Sequence, residues 1–334
     1  MPDEKIVFSQ GIEMPPDIQA LAQSLKPDGF TLHHLPPGTS VEEIGAAIED
    51  AEYLMGFLRF IPDEVLAKAS RLKMMQVLSA GYDTVNIAGA RAARIPICTN
   101  GGANSVAVAE HAIMLMLAVY RKLVTYHANV SGGRWNQGIP RTVDIYEIEG
   151  KTVGIVGLGN IGQQVAKRLK AFDCHLIYFD AFRRSPEEEA RLDVTYVSLE
   201  TLLETSDIVS LHVPLNDSTR DMINARALKR MKPKAILINT CRGEVVAEAD
   251  LIEALRDGTI LAAGLDTQAK EPADPANPLL DLPNVTLTPH SAGPTVDSFR
   301  KRFGNGYANI ARVAAGGAPM WVIPEMHDLF PPNG

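Results

Sequence analysis

An arginine, an aspartate, a glutamate and a histidine each stand just beyond a short apolar run in the second half of the chain. Ala235–Asn239 leads into Thr240-Cys241-Arg242-Gly243, and Ile260–Leu265 leads into Asp266 and then Glu271-Pro272. Val285–Leu287 leads into Thr288-Pro289-His290, and the earlier run Ile208–Leu211 leads into His212-Val213-Pro214. If these runs are parallel strands, all of these residues gather at carboxyl ends, where open α/β sheets bind their ligands. Arg242 offers a planar fork of donors that can hold a carboxylate and polarise a neighbouring carbonyl. His290 can give and take a proton near neutral pH. A carboxylate such as Glu271 beside it would stabilise the imidazolium and favour protonation of a developing alkoxide. The plainer alternatives are a surface ion pair for Arg242 and Glu271 and an ordinary loop histidine for His290. Shared placement at successive strand ends favours a reaction centre.

A second constellation supplies the redox partner. Lys151–Gly157 reads as a strand and runs directly into Gly157-Leu158-Gly159-Asn160-Ile161-Gly162, a G-x-G-x-x-G sequence, with a helix beginning at Gln163. The first glycine permits the tight turn, the second a close approach of backbone to a pyrophosphate, and the third close packing of helix on strand. The helix N-terminus adds free N–H groups and a partial positive charge. The next strand, His175–Asp180, ends in an acid at close to the expected spacing of about 20 residues, where it would bind ribose hydroxyls. Asp180 favours NAD, while Arg183 and Arg184 are the residues that would serve a 2′-phosphate instead. With a nicotinamide as hydride carrier, the four polar residues read as machinery for interconverting a 2-hydroxy acid and a 2-keto acid.

These residues need a scaffold of strands and helices, and the chain supplies one. Lys5–Ser9, Tyr53–Leu58, Met75–Leu78, Val153–Gly157, His175–Asp180, Ile208–Val213, Ala235–Asn239, Ile260–Leu265 and Val285–Leu287 read as strands. Their near-continuous apolar character suits parallel strands buried on both faces. Helical stretches such as Gly162–Ala171 and Leu251–Asp257 lie between them, predicting an α/β fold. Asn104–Tyr126 reads as one long helix, apolar around most of its circumference and so buried or covered by another subunit. Val296, Phe299, Phe303, Tyr307, Ile310 and Val313 mark one face of an amphipathic helix ended by Gly316-Gly317. The stretch before the glycine motif has its own strand–helix alternation and forms a separate domain.

With 334 residues, 46% hydrophobic and 22% charged, the chain can bury a real core, which excludes disorder. Forty acidic against 32 basic residues give a net charge of −8, which argues against nucleic acid as a partner. Cys98, Cys174 and Cys241 are dispersed without metal spacing, so no metal is expected and a reducing compartment is. Met1-Pro2-Asp3-Glu4-Lys5 lacks the features of a signal peptide. The apolar stretch Ala112–Tyr120 falls far short of the ~20 residues that span a bilayer. A cytoplasmic protein with no membrane contact is the expectation. His33-His34 is placed in a polar connection without a second ligand pair. Met114 and Met116 are read as core fillers, and Cys241 as touching the cofactor rather than acting as a nucleophile.

Five stretches together resemble the D-isomer-specific 2-hydroxyacid dehydrogenase family. They are Glu149–Gly162, Leu211-His-Val-Pro-Leu215, Asn239-Thr-Cys-Arg-Gly243, Gly264-Leu-Asp266 with Glu271-Pro272, and Thr288-Pro-His290. The resemblance implies two parallel-sheet domains, a Rossmann-type NAD domain (102–294) inserted in a flavodoxin-like substrate domain (1–101 with 295–334), and an active site in the cleft. It implies Arg242 as substrate anchor and His290 with Glu271 as the acid–base pair. It further implies that Ala80 and Gly81 hold the substrate carboxylate through backbone N–H groups. Asn104 and Val108 would lie beside the nicotinamide, Asn104 also touching substrate. Asn160 and Ile161 would contact the pyrophosphate, and Asp266 would orient the carboxamide. His212, Val213, Pro214, Thr240, Cys241 and Gly293, with Gly157, Gly159, Gly162 and Asp180, complete the expected cofactor contacts. The family implies a homodimer through the long helix and the segment around Trp135, although Trp135 would equally suit packing within one subunit.

Two departures bear on the substrate. Asp266-Thr-Gln-Ala-Lys-Glu271 lacks the apolar–aromatic pair common in the family, and His290-Ser-Ala-Gly-Pro294 is an unusual continuation. A formate-dehydrogenase-like enzyme is an alternative, but that group has Gln where Glu271 stands. An NADH-sensing binding protein resembling the C-terminal-binding-protein corepressors is the alternative from another class. Arg59, expected at the end of the strand Tyr53–Leu58, would read a distal anionic group on the substrate, or else pair locally with Asp63 or Glu64.

Overall fold

The computed structural model describes residues 3–135 and 144–331. The chain forms two compact units, Met1–Asn104 with Pro294–Gly334, and Ser105–Gly293. Each is built on its own parallel sheet.

In the first unit the strands are β1 (Glu4–Ser9), β2 (Phe30–Leu35), β3 (Tyr53–Gly56), β4 (Met74–Val77) and β5 (Ile97–Cys98). They pair in the order β2-β1-β3-β4-β5, the flavodoxin-like arrangement. Ile6, Val7 and Phe8 of β1 and Leu54 and Met55 of β3 are buried, as expected of strands covered on both faces. The amphipathic helix Val296–Ala314 returns to this unit and buries Phe299, Phe303, Tyr307 and Ile310. Phe303 meets Phe8 edge-on at 5.8 Å. Thr295 starts the helix with a capping box, its Oγ1 accepting from Ser298 N while Ser298 Oγ accepts from Thr295 N.

The second unit holds β6 (Thr152–Val156), β7 (His175–Phe179), β8 (Thr195–Tyr196), β9 (Ile208–Leu211), β10 (Ile236–Asn239), β11 (Ala262–Leu265) and β12 (Val285–Leu287). Their order, β12-β11-β10-β9-β6-β7-β8, is the Rossmann order extended by one strand. The order reverses between β6 and β9, so their carboxyl ends open the crevice in which such sheets bind nucleotides.

Three sequence expectations need correction. The polar connection at His33-His34 is in fact β2, an edge strand whose pattern is interrupted by polar residues because only β1 borders it. Asn104–Tyr126 is not one helix. Ser105–Tyr120 and Leu123–Ser131 are separate, broken where Lys122 adopts a left-handed backbone at φ +49°. Met116 is a core residue, but Met114 is 45% exposed and lies on an open apolar face.

Several strands also end earlier than expected, β3 at Gly56 and β9 at Leu211, which leaves Arg59 and Val213 in loops. The two-residue strands β5 and β8 sit at sheet edges and are too short to show a period.

Candidate active site

The glycine motif occupies the turn between β6 and the helix Asn160–Leu169. Gly157 has φ +94°, and a Cβ on it would lie 2.6 Å from His212 O. A Cβ on Gly162 would lie 2.1 Å from Gly157 O, so helix and strand approach as closely as the motif requires. Gly159, by contrast, faces open space and caps the helix without a side chain. Gln163 N is the first amide to close on it, at 3.0 Å to Gly159 O, leaving the first-turn N–H groups for an anion.

Asp180 follows β7 and is largely buried. Its Oδ2 accepts from Leu158 N at 2.7 Å and its Oδ1 from Phe182 N at 3.0 Å, tying it to the glycine turn. Arg184 Nη2 lies 3.7 Å from Asp180 Oδ2. Arg183 is committed elsewhere, with two bonds to Glu189 and its guanidinium over the Tyr196 ring.

Across the switch point, His212 is buried, with Nε2 2.9 Å from Ser210 Oγ. Burial pushes its pKa down to about 3, so the ring is neutral. Its Nδ1 and the Thr240 Oγ1 are buried without a hydrogen-bond partner among the described residues. Buried polar atoms of this kind call for a ligand or water. Together with the bare helix N-terminus and the acid at the end of β7, they fit a dinucleotide. Val213 is half-buried and Pro214 exposed beyond it, while Val108 is buried on the helix Ser105–Tyr120. Cys241 is buried, its Sγ 3.1 Å from Asn239 Oδ1, and burial pushes the thiol up to about 11. That argues against a nucleophile.

His290 and Glu271, the residues expected to form an acid–base pair, lie side by side. His290 Nδ1 lies 2.7 Å from Glu271 Oε2, both side chains being partly exposed. Burial raises the Glu271 carboxyl. The hydrogen bond and charge of His290, the Gln268 N–H and the charge of Arg242 more than offset this and hold it below the usual range. Arg242 belongs to the same constellation, and its Nη1 donates to Cys241 O at 2.8 Å.

His290 has a left-handed backbone at φ +51°. For a non-glycine residue this costs on the order of 1 kcal/mol and persists only where the surroundings impose it. Asp266 imposes it. Its carbonyl accepts from His290 N at 2.8 Å. Its carboxylate, 0% exposed, accepts from Thr288 Oγ1 at 2.6 Å and from the N–H groups of Ser291 and Ala292 at 2.9 Å each. His111 Nε2 completes the cluster at 2.9 Å from Thr288 Oγ1. Neither His111 nor Thr288 stood out in the sequence as a site residue; a lone histidine on an apolar helix was the only signal. Gly293 closes this loop and the second unit.

In the first unit, Ser79-Ala80-Gly81 forms the turn after β4, with Ser79 Oγ donating to Gly81 O at 2.6 Å. Among the described residues no acceptor takes the N–H of Ala80 or Gly81. Asn104 is buried and its Oδ1 accepts from Asn100 Nδ2 at 3.0 Å. Arg59 is exposed and donates to Gly11 O at 3.1 Å. Asp63, one of the two local acids considered for it, takes Asn86 Nδ2 at 2.6 Å.

Fold and site define a dinucleotide-dependent oxidoreductase with an imidazole–carboxylate pair. Residues 113–292 match the family model for the D-isomer specific 2-hydroxyacid dehydrogenase NAD binding domain. A glyoxylate reductase of Korarchaeum cryptofilum is 40% identical over 259 residues, covering 77% of each chain. The NADPH-dependent glyoxylate/hydroxypyruvate reductase of Sinorhizobium meliloti, solved with NADP and malonate, superposes with a TM-score of 0.81 at 28% identity over 96% of this chain and 97% of that one. The NAD-complexed D-isomer specific 2-hydroxyacid dehydrogenase of Lactobacillus delbrueckii ssp. bulgaricus gives 0.79 at 28% identity over 96% and 99%. The chain belongs to the D-isomer-specific 2-hydroxyacid dehydrogenase family. It is an NAD(P)-dependent oxidoreductase of 2-hydroxy and 2-keto acids. Among the described residues no helix is long and apolar enough to cross a membrane, and no cluster suits a metal.

Proposed function

We propose that the protein reduces a small 2-keto acid of the glyoxylate or hydroxypyruvate class to the D-2-hydroxy acid, with NADH preferred to NADPH. The observation that carries the reading is the 2.7 Å contact of His290 with Glu271 on a loop pinned by Asp266. A bound nicotinamide supplies the hydride. His290, its Nδ1 held by Glu271, gives its Nε2 proton to the oxygen that becomes the alkoxide. Arg242 anchors the substrate carboxylate and polarises the keto group. The N–H groups of Ala80 and Gly81 and the amide of Asn104 are assigned to the substrate carboxylate. Asp266 is assigned the loop that carries His290, with the carboxamide contact as its second task. Glyoxylate-type substrates are favoured by the names of the relatives.

The test is a panel of keto acids (glyoxylate, hydroxypyruvate, pyruvate, and one with a distal phosphate) assayed with NADH by absorbance. Highest kcat/KM on the two small acids supports the reading. Turnover of none of them would favour a binding protein, and formate oxidation would favour the formate-dehydrogenase alternative, which Glu271 argues against.

Two further expectations belong to this mechanism. Asp180→Ala should raise the KM for NADH and relieve the discrimination against NADPH, because it removes ribose hydrogen bonds and the repulsion of a 2′-phosphate. A wild type that used NADPH better than NADH would shift the reading to Arg184. Glu271→Gln should move the alkaline limb of keto-acid reduction to lower pH. Glu271 is held ionised by its surroundings, and a neutral amide no longer favours the protonated ring, so the acid form is lost sooner as pH rises. An unchanged profile would remove Glu271 from proton transfer.

The protein is further proposed to be a cytoplasmic homodimer. A groove of about 810 Å³ on the second unit is lined by Ile113, Met114, Leu117, Leu123 and Phe172, with Glu110, Arg121 and Arg168 at its rim. Leu123 and Val124 are more than half exposed and Trp135 is 76% exposed. An open apolar groove with exposed apolar residues of this kind suits an interaction surface. Sedimentation of the full chain as a monomer would contradict the dimer.

A further inference from the structure

The carbonyl of Leu78 is a point of convergence. Leu78 joins β4 to the turn Ser79-Ala80-Gly81, and two side chains from distant parts of the chain reach its oxygen. Arg302, on the helix Val296–Ala314, is 3% exposed and donates from Nη1 at 2.8 Å. Asn100 Nδ2 approaches the same oxygen at 3.4 Å. Asn100 also donates from its backbone N to Ser79 O at 3.3 Å and from Nδ2 to Asn104 Oδ1 at 3.0 Å. Asn305 Nδ2, from the same helix as Arg302, secures Asn100 O at 2.9 Å. The Arg302 guanidinium lies over the rings of Phe57 and Phe299 at 5.4 and 5.6 Å.

Taking a guanidinium out of water is expensive, and an apolar side chain would fill this space at far lower cost. Burial lowers the Arg302 pKa only to about 10, so the cation persists at neutral pH. A fixed positive charge on the carbonyl side of the Leu78–Ser79 peptide polarises that peptide. It also places positive potential behind the 79–81 turn, where the N–H groups of Ala80 and Gly81 have no acceptor among the described residues. Asn100, by occupying Asn104 Oδ1, leaves the Asn104 Nδ2 group as the donor.

We infer that Arg302, supported by Asn100, is a positioning residue for carboxylate recognition: it fixes the carbonyl that begins the 79–81 turn and supplies the buried charge behind it. This rests on the reading of Ala80 and Gly81 as the carboxylate turn. Arg302 touches no substrate in this scheme. It acts through the turn, so its loss should weaken anion binding more than the chemical step.

The experiment compares wild type, Arg302→Met, Arg302→Lys and Arg242→Ala as full-length proteins. It measures kcat and KM for glyoxylate, inhibition by oxalate in the presence of NADH, and NADH binding by fluorescence. Arg302→Met, with circular dichroism as for wild type, should raise the glyoxylate KM and the oxalate Ki by roughly tenfold, the effect of losing a charged hydrogen bond. Its kcat should change less, and its NADH affinity not at all. Arg302→Lys, which restores charge without the planar fork, should recover part of the loss. Wild-type KM and Ki in folded Arg302→Met, or no recovery in Arg302→Lys, would overturn the inference. If Arg302→Met does not fold, Arg302→Lys alone decides: a raised KM and Ki at unchanged NADH affinity supports the inference, and wild-type values overturn it. Arg242→Ala separates the two levels of argument. Weakened oxalate binding there, with none in Arg302→Met, keeps the active-site reading and rejects the role of Arg302. Wild-type oxalate binding in both would reject the active-site reading and the inference with it.

Discussion

His290→Asn should lower kcat for keto-acid reduction by ~10²–10⁴ while NADH binds as before, the range typical of a positioned general acid. That loss corresponds to about 3–5 kcal/mol of transition-state stabilisation. Asparagine is the informative replacement because it tolerates the left-handed backbone that His290 adopts at φ +51°. The loop therefore keeps its course, and the main-chain bond from residue 290 to Asp266 O survives. What disappears is an acid able to protonate an alkoxide near neutral pH. The asparagine amide can still donate a hydrogen bond, so KM should rise less than kcat falls. Single-turnover reduction followed by NADH absorbance, with NADH titrated separately by fluorescence, checks both parts. A variant with more than a tenth of wild-type kcat would show that the proton comes from another group.

The pairing of His290 with Glu271 was legible in the sequence because each residue follows a strand. Glu271 and His290 are 19 residues apart, yet both lie beyond the carboxyl ends of adjacent strands, β11 and β12, and the parallel pairing brings them together. The glycine motif was legible for a similar reason, since turn, helix and acid are local to one another.

Other features depended on partners too distant to read. His111 meets Thr288 across 177 positions, and Arg302 meets Leu78 across 224. No local pattern announces either contact. Elements at sheet edges were lost because an edge strand need not be apolar, as in Phe30-Thr31-Leu32-His33-His34-Leu35. The break after Tyr120 was hidden because apolar character continues from one helix into the next, and only the backbone at Lys122 separates them. Arg59 shows the opposite limit. Its place near a strand end left open a distal anion or a local acid as its partner, and the loop instead brings Gly11 O to one of its donors, a main-chain contact that no spacing in the sequence indicates.

Asp266 was singled out for its position, and the geometry enlarges its role, which leads to the second large effect. Asp266→Ala should cost roughly 100-fold in kcat, the scale on which small misplacement of a catalytic group acts. It should also lower the melting temperature of the protein by several degrees. Three donors, from Thr288, Ser291 and Ala292, converge on this fully buried carboxylate. Removing it leaves two main-chain N–H groups without an acceptor, each costing about 1–3 kcal/mol where water cannot reach. Ala292 is buried, so its N–H bears most of that cost. The residues freed are those that follow His290, so the left-handed turn keeps its bond to the carbonyl of residue 266 but loses the anchors on its C-terminal side. Asp266→Asn is the discriminating partner. It keeps one acceptor oxygen, but its NH₂ group opposes an N–H donor, so it should show an intermediate loss of kcat and of thermal stability. If the carboxamide contact were the main task of Asp266, both variants would instead weaken NADH binding while sparing the melting temperature. Calorimetry and NADH titration on the two variants separate these outcomes. A wild-type kcat in Asp266→Ala would reject both roles, since neither a loop anchor nor a cofactor contact could be removed from this position without consequence for hydride and proton transfer.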